Sequence, residues 1–452
     1  MIHQFSLFGE HFTLDVNSSS LHIADEKASR AIALLENSPK EDYIKKMTSL
    51  YPNDSDISSD SLESLYKDIM ELKQQGKLYT EFSYRDYIKA PETKQLKALC
   101  LNVAHTCNLC CSYCFAAEGN FKDGTALMSF DVAKQAVDFL IENSGSHYNL
   151  DIDFFGGEPL LNFDVVKQTV AYARKIEKEK HKNFRFTFTT NGILLNDNTI
   201  DYLNENMHNV VLSLDGRKEV HDRFRVNAKG RGSYDTVVPN FIKFAEKRRP
   251  KEFYIRATFT RHNLDFFKDI LHMLDLGFTE LSMEPVVAPL SSPESIREED
   301  LPEVFIQYEL LAKEMIKRSH EGNPFEFYHF NIDLEEGPCA YKLIAGCGTG
   351  CEYLAVTPSG ELYPCHQFVG DKHFLMGDVF SGIKNKNLRM EFAENNLYEH
   401  KECDNCWAKY FCAGGCAANN FHSSGNIAGT YKIGCEIFKK RLECALAVNA
   451  LK

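Results

Sequence analysis

The chain lacks any hydrophobic run that approaches the length of a membrane-spanning helix. Its first eight residues also lack the basic segment and the sustained apolar core of a secretion signal. Positive charge is in short supply, because 64 Asp and Glu face 51 Lys and Arg, for a net charge of −13. Since duplex nucleic acids are bound by Lys and Arg that neutralise phosphates, we expect a cytoplasmic protein that binds neither nucleic acid nor membrane.

Cysteine is absent between residues 115 and 338, although the chain has 15 cysteines in 452 residues. Five precede this stretch and ten follow it. A cytosolic protein keeps its thiols reduced, so cysteines in this number predict metal binding rather than disulfides. The length allows two or three domains, and two of them should carry metal.

The first metal region is a short loop with the spacing Cys107-x3-Cys111-x2-Cys114. A structural zinc site uses four protein ligands, and a redox C-x-x-C needs neither a third cysteine nor the aromatic Tyr113. Three thiolates are one fewer than a four-iron cluster needs, which leaves one iron open for a ligand that is not protein. Zinc and disulfide chemistry are less favoured alternatives, and Cys110 is out of register, so we expect it to be a packed residue.

This loop resembles the signature loop of radical S-adenosylmethionine (SAM) enzymes. The resemblance implies that the amino and carboxylate groups of SAM chelate the open iron of a four-iron cluster. An electron from that cluster would then cleave the C–S bond of SAM.

The second metal region has cysteines whose spacing resembles that of the SPASM domain, C-x(9–15)-G-x4-C followed by C-x2-C-x5-C-x3-C and a last C. A zinc-ribbon or rubredoxin-like site would explain its C-x2-C alone. The resemblance implies two auxiliary four-iron clusters. The outer cluster would be bound by Cys403, Cys406, Cys412 and Cys435, and the inner cluster by Cys347, Cys351, Cys365 and Cys416. Cys351 is the open question, because the inner cluster could instead keep an iron free for a substrate thiolate. Cys339 and Cys444 lie outside the pattern, and we expect them to be buried without a role.

Strand-like and helix-like segments alternate between the two metal regions. The six strand-like segments are 99–103, 149–155, 184–190, 210–214, 253–259 and 281–287, and amphipathic stretches such as 130–141 and 165–176 lie between them. This order predicts six β/α units in an α/β fold, a partial (β/α)6 TIM-like barrel. Ligands of such folds gather at the carboxyl ends of the strands.

Short polar motifs follow these strands, and they resemble the SAM-binding motifs of the same family. The implied SAM contacts are Tyr113, Gly156, Gly157, Glu158, Thr190, Asn191, Ser213, Asp215, Arg225 and Val286. The glycine pair would leave carbonyls free for the SAM ammonium, the polar turns would suit ribose hydroxyls, and Arg225 would pair with the SAM carboxylate. Each motif has an ordinary alternative: a plain turn, a surface pair of Arg225 with Asp222, or core packing around Val286.

The N-terminal segment has a different pattern. Apolar residues alternate over 5–7 and 12–16 around a turn at Gly9, a third short strand begins at Leu21, and helical stretches follow at 25–37, 41–50 and 61–75. This unit resembles the winged-helix precursor-peptide recognition domain of ribosomal-peptide maturases. The free edge of its third strand would receive a leader peptide by strand addition. Acidic helices argue against a DNA-binding winged helix.

The combined pattern resembles a radical SAM/SPASM maturase of "six Cys in forty-five" (SCIFF) peptides. The implied domains are a recognition domain at 1–85, a linker at 86–95, a radical SAM barrel at 96–310, and a bridging helix with a SPASM domain at 311–452. The implied activity is the formation of intramolecular Cys thioethers in a cysteine-rich precursor peptide, with three four-iron clusters, SAM and an electron donor such as flavodoxin or ferredoxin. Two alternatives stay open: oxidation of Ser or Cys to formylglycine, as in anaerobic sulfatase maturases, and a non-enzymatic iron–sulfur carrier. The acceptor residue and the linked carbon stay undetermined.

Overall fold

A computed structural model of the chain describes residues 1–88, 94–117, 119, 121, 124–289, 291–334 and 340–452. Cys339 and residues 89–93 of the predicted linker at 86–95 lie outside the described residues. The described chain begins with an antiparallel three-stranded sheet and three helices. They are β1 (Ile2–Leu7), β2 (Glu10–Asp15), β3 (Ser20–Ala24), α1 (Glu26–Leu35), α2 (Lys40–Leu50) and α3 (Ser59–Gln74).

The two faces of the N-terminal sheet have different neighbours. On one face the Gln4 amide donates to the Thr13 hydroxyl and to the Ser29 carbonyl of α1. The other face belongs to apolar clusters shared with the C-terminal part of the chain. There the His3 ring stacks on Trp407 with 3.6 Å between ring centroids, so the unit is docked rather than loosely tethered.

A second sheet carries the rest of the strands. They are β4 (Ala98–His105), β5 (Ala126–Leu127), β6 (Asn149–Gly156), β7 (Asn183–Thr190), β8 (Asn209–Ser213), β9 (Tyr254–Phe259), β10 (Glu280–Pro285), β11 (Glu326–Phe327), β12 (Tyr353–Val356), β13 (Glu361–Tyr363), β14 (Gly377–Asp378) and β15 (Gly382–Ile383). Its order is β11-β10-β9-β8-β7-β6-β4-β12-β13-β14-β15, with β5 paired to β4.

Strands β4 and β6 to β10 pair in parallel, one after another along the chain. The connecting helices are α4 (Phe130–Asn143), α5 (Phe163–Ile176), α6 (Asp197–Asn206), α7 (Lys218–Phe224), α8 (Tyr234–Arg248) and α9 (Phe266–Asp275). All six predicted strands are present within two residues of their predicted bounds, and the predicted α/β fold with a parallel, partial TIM-like barrel is confirmed.

Alternation along the strands gives this sheet two different faces. In β6 the buried Leu150, Ile152 and Phe154 alternate with the half-buried Asp151, Asp153 and Phe155. The apolar set packs against the helices, so the other set faces the inside of the barrel.

The C-terminal region is continuous with the barrel, which the cysteine pattern did not indicate. Strand β12 pairs in parallel with β4, from Tyr353 beside Ala98 to Val356 beside Leu101. The remaining helices are α10 (Leu301–His320), α11 (Ala340–Ala345), α12 (Lys386–Glu394), α13 (Lys409–Cys412), α14 (Ala417–Ser424) and α15 (Lys432–Leu451), and α15 packs along α10. Among the described residues, no helix combines the length and the apolar character needed to cross a membrane.

Candidate metal and cofactor site

The three loop cysteines lie together directly after β4. Burial raises the pKa of Cys107 to about 12, and the neighbouring Cys111 and Cys114 thiols add to the rise. The Leu109 N–H points at the Cys107 sulfur, 3.4 Å away. A metal that binds here must therefore displace protons from three mutually close thiols.

The donor set fits an iron–sulfur cluster better than a single ion. Among the described residues, no group of three or more His, Cys, Asp or Glu side chains is arranged to hold one metal ion. A cluster separates its cysteines more widely than one ion does, and it takes thiolates alone. Cys107, Cys111 and Cys114 would hold such a cluster and leave one iron for SAM. When bound, this pair of cofactors supplies a 5′-deoxyadenosyl radical.

Gly156 and Gly157 let β6 pass against the cysteine loop. A Cβ at Gly157 would lie 2.0 Å from the Thr106 carbonyl oxygen, and one at Gly156 would lie 2.4 Å from the Ala104 carbonyl oxygen. Gly156 also has a φ of 132°, which favours glycine. The pair therefore brings the end of β6 beside the loop, and the contact of its backbone with SAM stays a prediction.

The Glu158 side chain is held by three hydrogen bonds inside the protein. Its carboxylate is buried and accepts hydrogen bonds from the Leu160 N–H, the Thr190 hydroxyl and the Asn191 N–H, at 3.0, 2.8 and 2.8 Å. Burial raises the pKa of Glu158 to about 7. Glu158 and Thr190 therefore tie the ends of β6 and β7 together, and their side chains are directed into the protein rather than toward a ligand.

The Asn191 side chain faces the cysteine loop. Its amide nitrogen donates to the Asn108 side-chain oxygen at 2.7 Å and lies 3.6 Å from the Cys107 sulfur. Its side-chain oxygen accepts from the Ile193 N–H. Asn191 is thus placed to hold the loop in position.

Arg225 and Asp215 form a buried ion pair, which the sequence analysis did not predict. The Arg225 Nε and Nη2 atoms donate to the two Asp215 oxygens at 2.8 and 3.2 Å, and the Tyr113 hydroxyl donates to Asp215 at 2.5 Å. Burial opposes ionisation of Asp215, but the charge of Arg225 outweighs it and holds the Asp215 pKa below its usual value. The alternative partner of Arg225, Asp222, instead accepts from the Tyr234 N–H.

The side chain of Asp215 is fully buried in this ion pair, and its predicted contact with SAM stays a prediction. Arg225 lies close enough to the loop to act on Cys111. Burial raises the pKa of the Cys111 thiol, and the positive charge of Arg225 lowers it. The guanidinium is 11% exposed, so its contact with a SAM carboxylate stays a prediction. Ser213 is half-buried at the end of β8, and Val286 is buried beyond β10, where its N–H donates to the Phe259 carbonyl.

The C-terminal cysteines form two groups, and the binding of an iron–sulfur cluster by each group stays a prediction. Burial raises the pKa of Cys412 to about 12, and the adjacent thiols of Cys435, Cys403 and Cys406 reinforce the shift. Cys365 lies near Cys416 and Cys347. Cys351 also lies near Cys347, which is compatible with its predicted place in the inner group. Cys444 is buried, as expected for a cysteine outside the pattern.

A large cavity lies beside the cysteine loop. Its volume is about 1320 Å³, and it is lined by the cysteine loop at 112–115, the segment after β10 at 287–289, and C-terminal segments at 367–372 and 426–433. The cavity therefore lies between the candidate radical source and segments of the C-terminal region.

Polar residues inside the barrel were missed by the sequence analysis. The Glu284 carboxylate lies 3.1 Å from His329 and 3.4 Å from Arg441 of α15. Burial opposes its ionisation, but His329 and Arg441 hold the Glu284 pKa below its usual value. The available signal was the polar residue at every second position of β10, at Ser282 and Glu284.

Comparison with known proteins gives one family match and several relatives. A model described as the Radical SAM superfamily matches residues 101–274. The cysteine-type anaerobic sulfatase-maturating enzyme of Clostridium novyi is 26% identical over 77% of this chain and 95% of its own length. The serine-type enzyme of Bacteroides thetaiotaomicron is 23% identical over 74% of this chain and 85% of its own length.

Two solved structures share the fold. Native anSMEcpe with bound AdoMet and Cp18Cys peptide has a TM-score of 0.64 at 22% identity, covering 79% of this chain and 99% of that chain. Streptococcus suis SuiB bound to precursor peptide SuiA has a TM-score of 0.52 at 16% identity, covering 92% and 94%. With the three loop cysteines in place at the end of β4, the match to the Radical SAM superfamily at residues 101–274 supports a radical SAM domain in this part of the chain.

Proposed function

We propose that this protein is an oxidoreductase that uses the SAM-derived radical to modify a peptide. The observation that carries the proposal is the cavity of about 1320 Å³ between the cysteine loop and segments of the C-terminal region. Pockets for small molecules occupy roughly 300–1,000 Å³, so this one has room for a peptide segment. Peptides bound to the anSMEcpe and SuiB structures support the same substrate class.

Two reactions compete for this site. The named relatives favour oxidation of Ser or Cys to formylglycine, because sulfatase-maturating enzymes match most of the chain. The N-terminal unit favours thioether formation in a precursor peptide. The anSMEcpe structure leaves about a fifth of this chain unmatched, roughly the length of residues 1–88, whereas the peptide-bound SuiB structure covers 92% of it.

Thioether formation replaces a C–H and an S–H bond of the peptide by one C–S bond. One hydrogen atom goes to the 5′-deoxyadenosyl radical, and one proton and one electron leave separately. An iron–sulfur cluster in the C-terminal region, held by Cys347, Cys365 and Cys416, would be suited to accept that electron. We therefore propose thioether formation as the reaction and formylglycine formation as the second candidate.

The outer edge of β3 is the proposed leader site. The Val16 N–H donates to the Met1 carbonyl at 3.1 Å, and antiparallel strands alternate between bonded and non-bonded pairs. With the observed register, this alternation directs the backbone groups of Leu21 and Ile23 away from β2. Among the described residues no strand pairs with that edge, and the Ile23 side chain is 45% exposed.

Substitution of one residue tests this site. Ile23→Pro removes an outward N–H without removing a bond to β2, and Ser6→Pro is the matched control on the outer edge of β1. The probe is a short cysteine-rich peptide with its leader, taken from an open reading frame beside this gene. We expect Ile23→Pro to lose processing, Ser6→Pro to retain it, and both to release 5′-deoxyadenosine with dithionite.

Mass spectrometry separates the two reactions. A thioether consumes a thiol that iodoacetamide would otherwise alkylate, whereas formylglycine reacts with a hydrazine. A hydrazine-reactive product that forms equally well with Ile23→Pro would establish the second candidate and exclude the first. No 5′-deoxyadenosine from protein that carries its full iron would contradict both.

A further inference from the structure

We infer that a small basic surface beside the cysteine loop docks an acidic one-electron carrier protein of the flavodoxin or ferredoxin type. The surface consists of Arg223 at the end of α7 and of Lys229 and Arg231 in the following turn. The inference rests on the proposed function, because reductive cleavage of SAM requires an electron from outside the chain.

The surface is joined to the cysteine loop by backbone hydrogen bonds. The Cys110 N–H donates to the Val226 carbonyl at 2.7 Å, and the Ser112 N–H donates to the Phe224 carbonyl at 3.3 Å. The segment that carries the three cations therefore lies directly against the loop. A carrier bound there would be close to the group that it must reduce.

The turn at 227–231 is held in a defined shape. The Asn227 side-chain oxygen accepts from the Lys229 and Arg231 N–H groups at 2.9 and 3.1 Å. The Asn227 N–H donates to the Arg231 carbonyl at 2.9 Å, and Val226 forms a bridge with Gly232. This geometry presents Lys229 and Arg231 on an exposed turn whose backbone is already ordered, so binding requires little further ordering.

Other basic side chains near this surface are already held in ion pairs. Lys218 pairs with Asp235, and Arg217 pairs with Asp265 and Asp269. Arg223, Lys229 and Arg231 are exposed, and no ion pair to any of them is found in the part of the chain that the structure describes. The nearby Glu219 carboxylate lies 3.9 Å from the Nε atom of Arg217.

Charge complementarity indicates the kind of partner. The protein has a net charge of −13, so its average field repels an acidic protein, and three cations beside the loop form a local exception. Such a patch accelerates encounter with an oppositely charged partner, in a manner that weakens as salt is added. In the transfer itself, a flavin hydroquinone would lose one electron to become the semiquinone, and the iron–sulfur cluster would gain that electron.

The test compares two double variants of the iron-loaded enzyme. Lys229→Glu with Arg231→Glu alters the surface, and Lys175→Glu with Lys178→Glu alters the net charge equally at exposed positions near the end of α5. A purified bacterial flavodoxin is the probe. Its oxidised form reports binding by calorimetry, and its hydroquinone reports electron transfer through 5′-deoxyadenosine.

We expect the Lys229/Arg231 variant to bind flavodoxin at least tenfold more weakly at low salt and to form 5′-deoxyadenosine about tenfold more slowly with flavodoxin hydroquinone. With dithionite both variants should match wild type, since a small reductant needs no docking surface. The loss should shrink in about 1 M salt, where the screening length falls to about 3 Å.

Equal binding and equal flavodoxin-driven rates in both variants would overturn the docking surface while leaving the proposed function intact. Failure of wild type with dithionite would overturn the proposed function instead. A loss of the same size in the Lys175/Lys178 control would assign the effect to net charge and would also overturn the inference.

Discussion

Replacement of Asp215 by Ala should weaken both folding and SAM binding, because it leaves a cation without its partner inside the protein. Asp215 accepts hydrogen bonds from Arg225, from Tyr113 and from the Thr258 N–H at 3.0 Å. The Arg225 side chain is 11% exposed, so water replaces little of what is lost. Removal of one partner of a buried pair costs about 3–5 kcal/mol.

Asp215→Asn and Tyr113→Phe divide this loss into parts. Asn has nearly the shape of Asp but no charge, and its NH₂ group must face one of the donors that Asp215 accepts from. We therefore expect Asp215→Asn to lose less stability than Asp215→Ala. Tyr113→Phe removes one hydrogen bond to a charged group, worth about 1.5–3 kcal/mol, and retains the ring, whose centroid lies 5.6 Å from the Arg225 guanidinium carbon. The expected order of stability is wild type, Tyr113→Phe, Asp215→Asn and Asp215→Ala.

Two measurements check the prediction under anaerobic conditions. Urea unfolding gives the free energy of unfolding, and equilibrium dialysis of iron-loaded protein gives the affinity for SAM. Because Asp215 orients the guanidinium that we expect to contact the SAM carboxylate, affinity should fall at least tenfold in Asp215→Ala, which corresponds to about 1.4 kcal/mol.

Asp222→Ala is the matched control. Asp222 was the alternative partner of Arg225, but it accepts from the Tyr234 N–H instead. Its removal should cost about 1 kcal/mol of stability and leave SAM affinity unchanged. Wild-type SAM affinity in Asp215→Ala, with weakened affinity in Asp222→Ala, would refute the assigned pairing.

Two further predictions concern a buried carboxyl and the outer cysteine group. Burial raises the Glu158 pKa to about 7, above the unfolded value of about 4.3, so wild-type stability should fall as pH rises between these values. Gln has no carboxyl to titrate, so the unfolding free energy of Glu158→Gln minus that of wild type should rise by about 3 kcal/mol from pH 4.5 to pH 8. A difference that does not change with pH would contradict this. Cys412→Ala should lose about one third of the iron and still form 5′-deoxyadenosine with dithionite, whereas the buried control Cys444→Ala should keep its iron. Full iron in Cys412→Ala would argue against the outer cluster.

The barrel was predictable because its signals are local. Each strand of the parallel sheet is a short apolar or alternating run, and each helix has an amphipathic period, so element types and order follow from nearest neighbours in sequence. The cysteine loop was predictable for the same reason, since Cys107, Cys111 and Cys114 lie within eight residues.

Side-chain roles at the strand ends were predicted less well. Glu158, Asp215 and Arg225 were all placed at the site, but their partners come from different strands and loops. Whether a carboxylate at the end of a strand faces a ligand or an internal cation depends on which groups the sheet brings beside it. The sequence pattern of one strand does not indicate which of the two the carboxylate will face.

The sequence by itself determined the residue types of the chemistry: three thiols on one loop, the alternating strands and helices, and a thiol-rich C-terminal region. Only the tertiary structure decided that β12 joins β4, that Asp215 is occupied by Arg225, and that the basic turn at 227–231 lies against the cysteine loop. The physical reason is that covalent spacing fixes which ligands are neighbours along the chain. Burial and pairing depend on contacts between segments tens to hundreds of residues apart.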